Sequence, residues 1–291
     1  MAVTTDRPVE PQELSRDEAY DRVHALARGC AEHAAVRNPF YDLWISKELS
    51  ADQVEIVAKN FYARVRRTPV RIALAFLNMT DITARAETVE NLYDEMGNGN
   101  SSKVHSELLE TLLSRIRGHA VDLEEVSAPL LPSTVRLIEE SEKLFNSPHP
   151  QEVCGALLAQ EWHAYPQLVQ LYEGIRNYRH LFGLEEFHEN CEYFYLHIGA
   201  TEKEHKVHSL STAARACRSP EDIEHLERGF NAYLGLLADN WTEVHRELSR
   251  GCPAGGGGGG PPPRPPRGGG GGGGGPPPRH PLTTPEEHAC A

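Results

Sequence analysis

The chain has 291 residues, and its 29 Lys and Arg against 42 Asp and Glu give a formal net charge of −13 at pH 7. Such an acidic protein is a poor candidate for nonspecific DNA or RNA binding. The sequence has no apolar run of transmembrane length, and its N-terminus lacks the basic and apolar regions of a signal peptide. We therefore expect a cytoplasmic protein that binds neither nucleic acid nor membrane.

The six cysteines are widely separated and include no CxxC pair, so we expect reduced thiols rather than disulfides or a structural zinc site. Residues 251–291 consist mainly of Gly and Pro, and a segment with so little apolar surface is expected to be disordered. The sequence thus predicts a flexible N-terminus at 1–14, one folded domain at 15–250 and a disordered tail at 251–291.

The first half of the predicted domain reads as helices. Capping-box patterns begin at Ser15 and Ser50, and each predicts a helix start. The first helix should run to about His33. The second should be kinked or ended by Pro69, after which the helical spacing of apolar residues resumes through Leu77.

A third helix is predicted over residues 82–96, where a Gly-Asn-Gly-Asn run at 97–100 interrupts the chain. Ser101 or Ser102 can cap the next helix, which should reach about Ile116. Further helices are predicted over 132–146, 150–178 with a kink at Pro166, 185–216 and 220–248. The sequence therefore predicts an all-α bundle of seven or eight helices.

A carboxylate interrupts the apolar stripe of the helix predicted at 150–178. Glu161 lies four residues after Leu157 and seven before Leu168, where a core residue is expected. A buried, unpaired carboxylate costs several kcal/mol unless it is protonated or paired. A metal ion would remove that cost, and so would an ion pair between two helices.

Two more ligand types flank the Gly-Asn-Gly-Asn break. Glu95 ends the helix before it, and His105 lies in the first turns of the helix after it. The break allows the two helices to present Glu95 and His105 to one interior point. Taken alone, His105 could equally be an ordinary core or surface histidine.

The segment after residue 190 supplies the remaining ligands. Glu202 and His205 form a Glu-x-x-His motif, the spacing found in diiron helical bundles, and His197 lies two turns earlier. In a straight helix Glu202 points about 140° away from His197, so their convergence requires a π-bulge. Thr201 or Glu204 would face His197 in a straight helix and remain alternatives for the fifth ligand.

The full candidate set contains three carboxylates and three imidazoles, and it contains no cysteine. Oxygen and nitrogen donors of this kind favour iron or manganese over structural zinc. The predicted metal ligands are Glu95, His105, Glu161, His197, Glu202 and His205. His163, His188 and His208 are interpreted as surface residues or as neighbours of the ligands.

The order of these motifs resembles the heme-oxygenase-like diiron oxidases and oxygenases, a family of iron-containing redox enzymes. The resemblance rests on Asn91–His105, Glu161 and the Tyr193-Phe-x-x-His197-Ile run, and it extends over roughly 49–208. It identifies Glu95, His105, Glu161 and His197 with the first four ligand positions. The family usually continues His-x3-Asp-x2-His, whereas this chain has one extra residue before His205.

The resemblance implies a seven-helix bundle, often dimeric, that holds two Fe(II) ions and uses O2 as co-substrate. Members oxidise small substrates in specialised metabolism, such as antibiotic biosynthesis, by N-oxygenation or by oxidative C–C cleavage. For this chain it implies a small amine or amino-acid substrate, a homodimer and the use of an external electron donor. The residues that bind the substrate cannot be named from the sequence.

Two other classes of protein stay open. A metal-free enzyme of the same fold, similar to thiaminase II, would need a nucleophilic cysteine, and Cys154 and Cys191 are the nearby candidates. A ferritin-like or non-catalytic binding bundle is the other alternative. A ferritin-like site needs Glu-x-x-His motifs on separate helices, but those ending at His188 and His205 lie in one segment.

Overall fold

The computed structural model describes residues 13–124 and 129–250, and for residues 200–204 it describes the backbone only. The first residues and the Gly/Pro tail lie outside this part of the chain, so the predicted disorder of the tail stays a prediction. The described residues form helices, turns and loops without a strand. In chain order the helices are α1 (Arg16–Gly29), α2 (Pro39–Ser46), α3 (Ala51–Val65), α4 (Thr68–Asn78), α5 (Ile82–Glu95), α6 (His105–Arg117), α7 (Pro132–Phe145), α8 (Pro150–Ile175), α9 (Leu184–Asn190), α10 (Glu192–Ile198), α11 (Ala200–Ala216) and α12 (Pro220–Arg250).

The all-α prediction is confirmed, and several helix starts form as the sequence indicates. Ser15 and Ser50 each accept a hydrogen bond in a complete capping box. Pro69 lies in the first turn of α4, where its missing N–H costs nothing, so it separates α4 from α3. The long helix α8 continues through Pro166 and ends at Ile175.

The chain forms more and shorter helices than predicted. Helix α2 was not predicted, although Asn38 caps it and Pro39 occupies its first position. The single helix predicted over 185–216 is instead divided into α9, α10 and α11. The predicted caps are also wrong, because Ser101 and Ser102 belong to a 3-10 turn. Helix α6 begins only at His105 and has no side-chain cap.

Helix α8 lies at the centre of the bundle and contacts α2, α4, α7, α10, α11 and α12. Gly155 on α8 and Gly229 on α12 face the backbone of the opposite helix so closely that a Cβ at either position would collide with it. These glycines therefore set the close approach of the two longest helices. None of the described helices is both long and apolar enough to cross a membrane.

A polar layer divides the core at the middle of α8. The first half of the helix, from Val153 to Ala159, packs into one cluster of buried apolar residues, and Leu168 to Ile175 pack into another. Between them lie four buried polar side chains: Gln160, Glu161, His163 and Gln167. This layer places polar groups at the centre of the bundle, where apolar residues are the usual choice.

Candidate metal centre

A tight loop brings the ends of α5 and α6 together. Glu95 is the last residue of α5 and His105 is the first residue of α6. Between them Gly97 has a φ of +70°, and a Cβ there would lie 2.5 Å from the backbone carbon of Lys103. Only glycine fits this crossing, so the break after Glu95 determines how closely the two helix ends approach.

Glu95, His105 and His197 converge in the interior, and we call these three residues the inner cluster. The Glu95 carboxylate lies 3.4 Å from His105 Nδ1 and 3.4 Å from His197 Nε2. The two imidazole nitrogens are 3.2 Å apart. His197 Nδ1 donates a hydrogen bond of 2.7 Å to the Tyr193 carbonyl, which turns Nε2 toward the cluster.

The geometry of the inner cluster fits a metal ion. Its three ligand atoms all lie within 4.8 Å of one another. Neighbouring ligands with metal bonds of about 2.1 Å are separated by roughly 3.0–3.4 Å, and the observed separations lie in that range. Burial alone would raise the pKa of Glu95, but hydrogen bonds and charge interactions with His105 and His197 hold it well below its usual range. The carboxylate is therefore ionised and able to bind a cation.

Glu161 lies beside the inner cluster as a second buried carboxylate. It is 6% exposed and accepts hydrogen bonds from Asn91 Nδ2 at 3.2 Å and Gln160 Nε2 at 3.4 Å. Within the described part of the chain it has no ion-pair partner, so the interhelical salt bridge considered above does not form there. Burial and the negative charge of Glu95 raise its pKa, while the charge of His205 opposes them.

Glu161 lines two cavities. One, which we call the inner cavity, is also lined by Glu95 and His197, and the other is lined by His205 and Asn91. His205 lines the second cavity, and its Nε2 lies 3.8 Å from the Asp94 carboxylate. Glu161 is therefore the carboxylate that the cavity of Glu95 and His197 shares with the cavity of His205.

The segment that contains Glu202 is broken rather than bulged. Gly199 has an extended conformation (φ −76°, ψ −160°) and separates α10 from α11. The predicted π-bulge is therefore wrong, because the helix is interrupted instead of widened. The side chains of Thr201, Glu202 and Glu204 lie outside the described residues, so the identity of the fifth ligand stays a prediction.

Several residues near the centre were assigned no role from the sequence. Asn91 lies one turn before Glu95, so helical spacing from that ligand could have found it. Asp94 is adjacent to Glu95 and approaches His205, a contact that no local pattern predicts. Arg64 and Arg71 line the inner cavity. These two arginines lie seven residues apart, on helices that are otherwise largely apolar. A charged residue at such a position was the signal in the sequence that could have identified them.

The three histidines interpreted above as surface residues or as neighbours of the ligands have different surroundings. His163 is buried in the inner cavity, where burial lowers its pKa to about 3 and its Nδ1 donates to the Ala159 carbonyl. His208 lines the second cavity. His188 is exposed and forms a hydrogen bond with Tyr195. Their interpretation as neighbours of the site or as surface residues agrees with these positions.

The described cysteines are free thiols, as predicted, and all of them are buried. Burial raises the pKa of Cys154 and of Cys191 to about 12, so both are protonated thiols at neutral pH. Neither lines the inner cavity. A thiol in this state and position is not the activated nucleophile that the metal-free alternative requires.

Comparisons with known proteins agree with this arrangement. A family model described as an iron-containing redox enzyme matches residues 55–238. No curated protein matches the chain at a significant level.

Solved structures show the same fold at low sequence identity. A CADD-like protein of unknown function from Nostoc punctiforme superposes with a TM-score of 0.67 at 20% identity, over 80% of this chain and 99% of that one. A TenA homolog from Pseudomonas syringae pv. tomato superposes with a TM-score of 0.63 at 13% identity, over 82% of this chain and 100% of that one. A domain with a heme oxygenase-like fold from Shewanella denitrificans superposes with a TM-score of 0.60 at 15% identity, over 81% of this chain and 94% of that one. The predicted heme-oxygenase-like bundle is thereby confirmed.

Proposed function

Because this chain belongs to the family of iron-containing redox enzymes, we propose that it is a non-haem diiron oxygenase or oxidase that uses O2 to oxidise a small amine or amino acid. One observation carries the proposal: Glu161 is a buried carboxylate that lines both the cavity of Glu95 and His197 and the cavity of His205, and no lysine or arginine forms an ion pair with it among the described residues. Metal ions held by the residues of these two cavities would neutralise it.

The described side chains divide between the two positions. Glu95, His105 and His197 would hold the first iron, and His205, with the still untested Glu202, would hold the second. Glu161, which lines both cavities, would be a further ligand. When bound, iron(II) would supply electrons for the reduction of O2.

Neighbouring residues hold the ligands in position. Because His197 Nδ1 donates to the Tyr193 carbonyl, Nε2 is the nitrogen that faces the centre, and it would bind a metal ion once it has lost its proton. Asn91 and Gln160 donate to one Glu161 oxygen and leave the other oxygen less constrained. Apolar clusters on both sides of this layer exclude bulk water, which strengthens electrostatic interactions inside it.

The proposed chemistry is N-oxygenation or oxidative C–C cleavage, in the service of specialised metabolite biosynthesis. Inserting one atom of O2 into an N–H bond while reducing the other to water consumes two electrons from outside the substrate. An external electron donor is therefore part of this proposal. A metal-free, thiaminase-like reaction has less support, because the thiols of Cys154 and Cys191 have raised pKa values and lie outside the cavity.

The test is O2 consumption by the iron-loaded protein. The full chain is reconstituted with Fe(II) without oxygen, mixed with 18O2 and a panel of amino acids and primary amines, and the products are analysed by mass spectrometry. We expect substrate-dependent O2 uptake, with oxidised product, that is abolished in Glu161→Gln. Product formation without O2 uptake, or without metal, would contradict the proposal.

A further inference from the structure

Two buried arginines line the cavity beside the inner cluster. Arg64 on α3 is 5% exposed and Arg71 on α4 is 4% exposed. The same cavity is lined by Glu95 and Glu161 and has a volume of about 60 Å³, whereas the second cavity, lined by His205, has a volume of about 20 Å³. A small organic molecule therefore has more room on the arginine side of the ligands.

Arg64 has few partners for a buried cation. Its Nη2 donates a long hydrogen bond of 3.4 Å to Gln167, and its Nε–H has no acceptor. The guanidinium lies 4.9 Å from the ring of Phe61 and 4.7 Å from that of Trp241. Over the ranges that the structure describes, no carboxylate forms an ion pair with Arg64. Its positive charge is compensated only by neutral groups and aromatic faces.

Arg71 is better hydrogen bonded, but its partners are neutral too. It donates to Gln160 at 2.9 Å, to Thr68 at 3.0 Å and to the backbone carbonyl of Arg64 at 3.3 Å. A guanidinium has five N–H groups, so donors remain after these contacts. Arg71 likewise has no carboxylate partner among the described side chains, and its charge repels that of Arg64.

An anion is the missing component of this arrangement. Two adjacent buried cations without a counterion are costly, and the ligand carboxylates are neutralised once metal is bound. The planar fork of a guanidinium matches the two oxygens of a carboxylate. Because both arginines line the cavity that contains the ligands, their counterion would lie beside the metal centre.

We propose that Arg64, assisted by Arg71, binds the carboxylate of the substrate. This inference rests on the proposed function and narrows its substrate class from small amines or amino acids to amino acids and related amino-carboxylates. The carboxylate would anchor one end of the molecule at the arginines and leave the other end to face the ligands. The arginines are binding residues and take no part in the oxidation.

The test compares an anion with its neutral isostere. Binding of butyrate and of butyramide to the iron(II)-loaded full chain is measured by calorimetry without oxygen. We expect butyrate to bind and butyramide not to. Arg64→Met should weaken butyrate binding at least tenfold, which is about 1.4 kcal/mol. Arg66→Met is the matched control, because this neighbouring arginine is exposed, and its butyrate affinity should equal that of the original chain.

Stability and iron content separate a binding role from a structural one. Replacing an unpaired buried cation with an apolar side chain of similar length should not lower the melting temperature, whereas removing a structural arginine should. Iron content should be unchanged in Arg64→Met. Equal butyrate affinity in Arg64→Met and the original chain, or binding of butyramide as tight as that of butyrate, would overturn the inference. A chain that binds butyrate through Arg64 but consumes no O2 would refute the proposed function instead.

Discussion

Two groups of one glutamate and two histidines in this protein have similar dimensions but different surroundings. One is the inner cluster, and the other, which we call the outer cluster, consists of His149, Glu152 and His225 at the start of α8 and on α12. In both groups the three ligand atoms lie within 4.8 Å of one another. The inner cluster is buried or nearly so, whereas His149 is exposed and the other two outer residues are partly exposed.

The two groups differ most in the other hydrogen-bond partners of their carboxylates. Glu152 already accepts hydrogen bonds from Ser147 at 2.6 Å and Arg228 at 3.3 Å, besides His225. Among the described side chains, Glu95 pairs only with the two histidines of its cluster, and it lies near a second buried carboxylate, Glu161. Residue types and distances alone therefore do not identify a metal centre. Burial and unsatisfied charge distinguish the inner cluster from a surface ion-pair network.

The largest expected difference is in iron binding. Glu95→Gln removes one ligand charge at nearly constant volume and should lose at least one of two irons per chain. Glu152→Gln makes the same chemical change in the outer cluster and should keep both. Iron content after anaerobic reconstitution and desalting measures the effect. Equal loss from the two variants would remove the distinction between the clusters.

A second pair of variants addresses the unassigned ligand near the inner cluster. Glu202→Ala should lose the second iron, because its Glu-x-x-His spacing pairs it with His205. Glu204→Ala should keep both irons. The same metal analysis decides between them, and Thr201→Ala serves as a mild control. If Glu204→Ala loses iron and Glu202→Ala does not, the fifth ligand is misassigned, although the other ligands are unaffected.

The loop between Glu95 and His105 should be sensitive to a single methyl group. Gly97→Ala places a Cβ against the backbone of Lys103 at positive φ and should lower the free energy of unfolding by about 2–4 kcal/mol. Gly118 also has positive φ, but open space surrounds it, so Gly118→Ala should cost only about 1–2 kcal/mol. Chemical denaturation measures both. Iron affinity should fall only in Gly97→Ala, and a fall in both would mean that the loop does not position the ligands.

The smallest effect concerns the pH dependence of the outer cluster. Burial would raise the pKa of Glu152, but hydrogen bonds from Ser147, His225 and Arg228 together lower it. A lowered pKa stabilises the fold above the unfolded value near 4.5, and this stability is lost as the pH falls through the folded value. In the metal-free protein, Glu152→Gln should lower the free energy of unfolding by less than about 1 kcal/mol at pH 7 and by still less at pH 3.5, as measured by chemical denaturation. A larger loss of stability at pH 3.5 than at pH 7 would contradict this prediction.

The sequence predicted several helix starts and breaks from signals that act within a few residues. The capping boxes at Ser15 and Ser50, and the glycine break after Glu95, act within a few residues, so periodicity and capping rules predict them. Glu161 was recognisable because a carboxylate on an apolar stripe needs a compensating partner. The helix containing Pro39 had an equally local signal in its Asn-Pro start, which was overlooked.

Other features of the structure could not be predicted from local patterns. The break at Gly199 lies within a pattern that reads as one continuous helix, so periodicity alone predicts no interruption. The contact between Asp94 and His205 and the burial of Arg64 and Arg71 also depend on tertiary packing. A single sequence shows which side chains are unusual for their helix face, but it does not show which distant side chain contacts each of them in the fold.

The central claim is that the inner cluster, Glu161 and His205 together hold two irons. The most direct test is anaerobic titration of the metal-free chain with Fe(II), followed by metal analysis and Mössbauer spectroscopy of the 57Fe-loaded protein. The account predicts close to two irons per chain, with the spectrum of a pair of high-spin ferrous ions in oxygen and nitrogen ligation. A single tightly bound zinc that iron does not displace, or no retained metal, would contradict it.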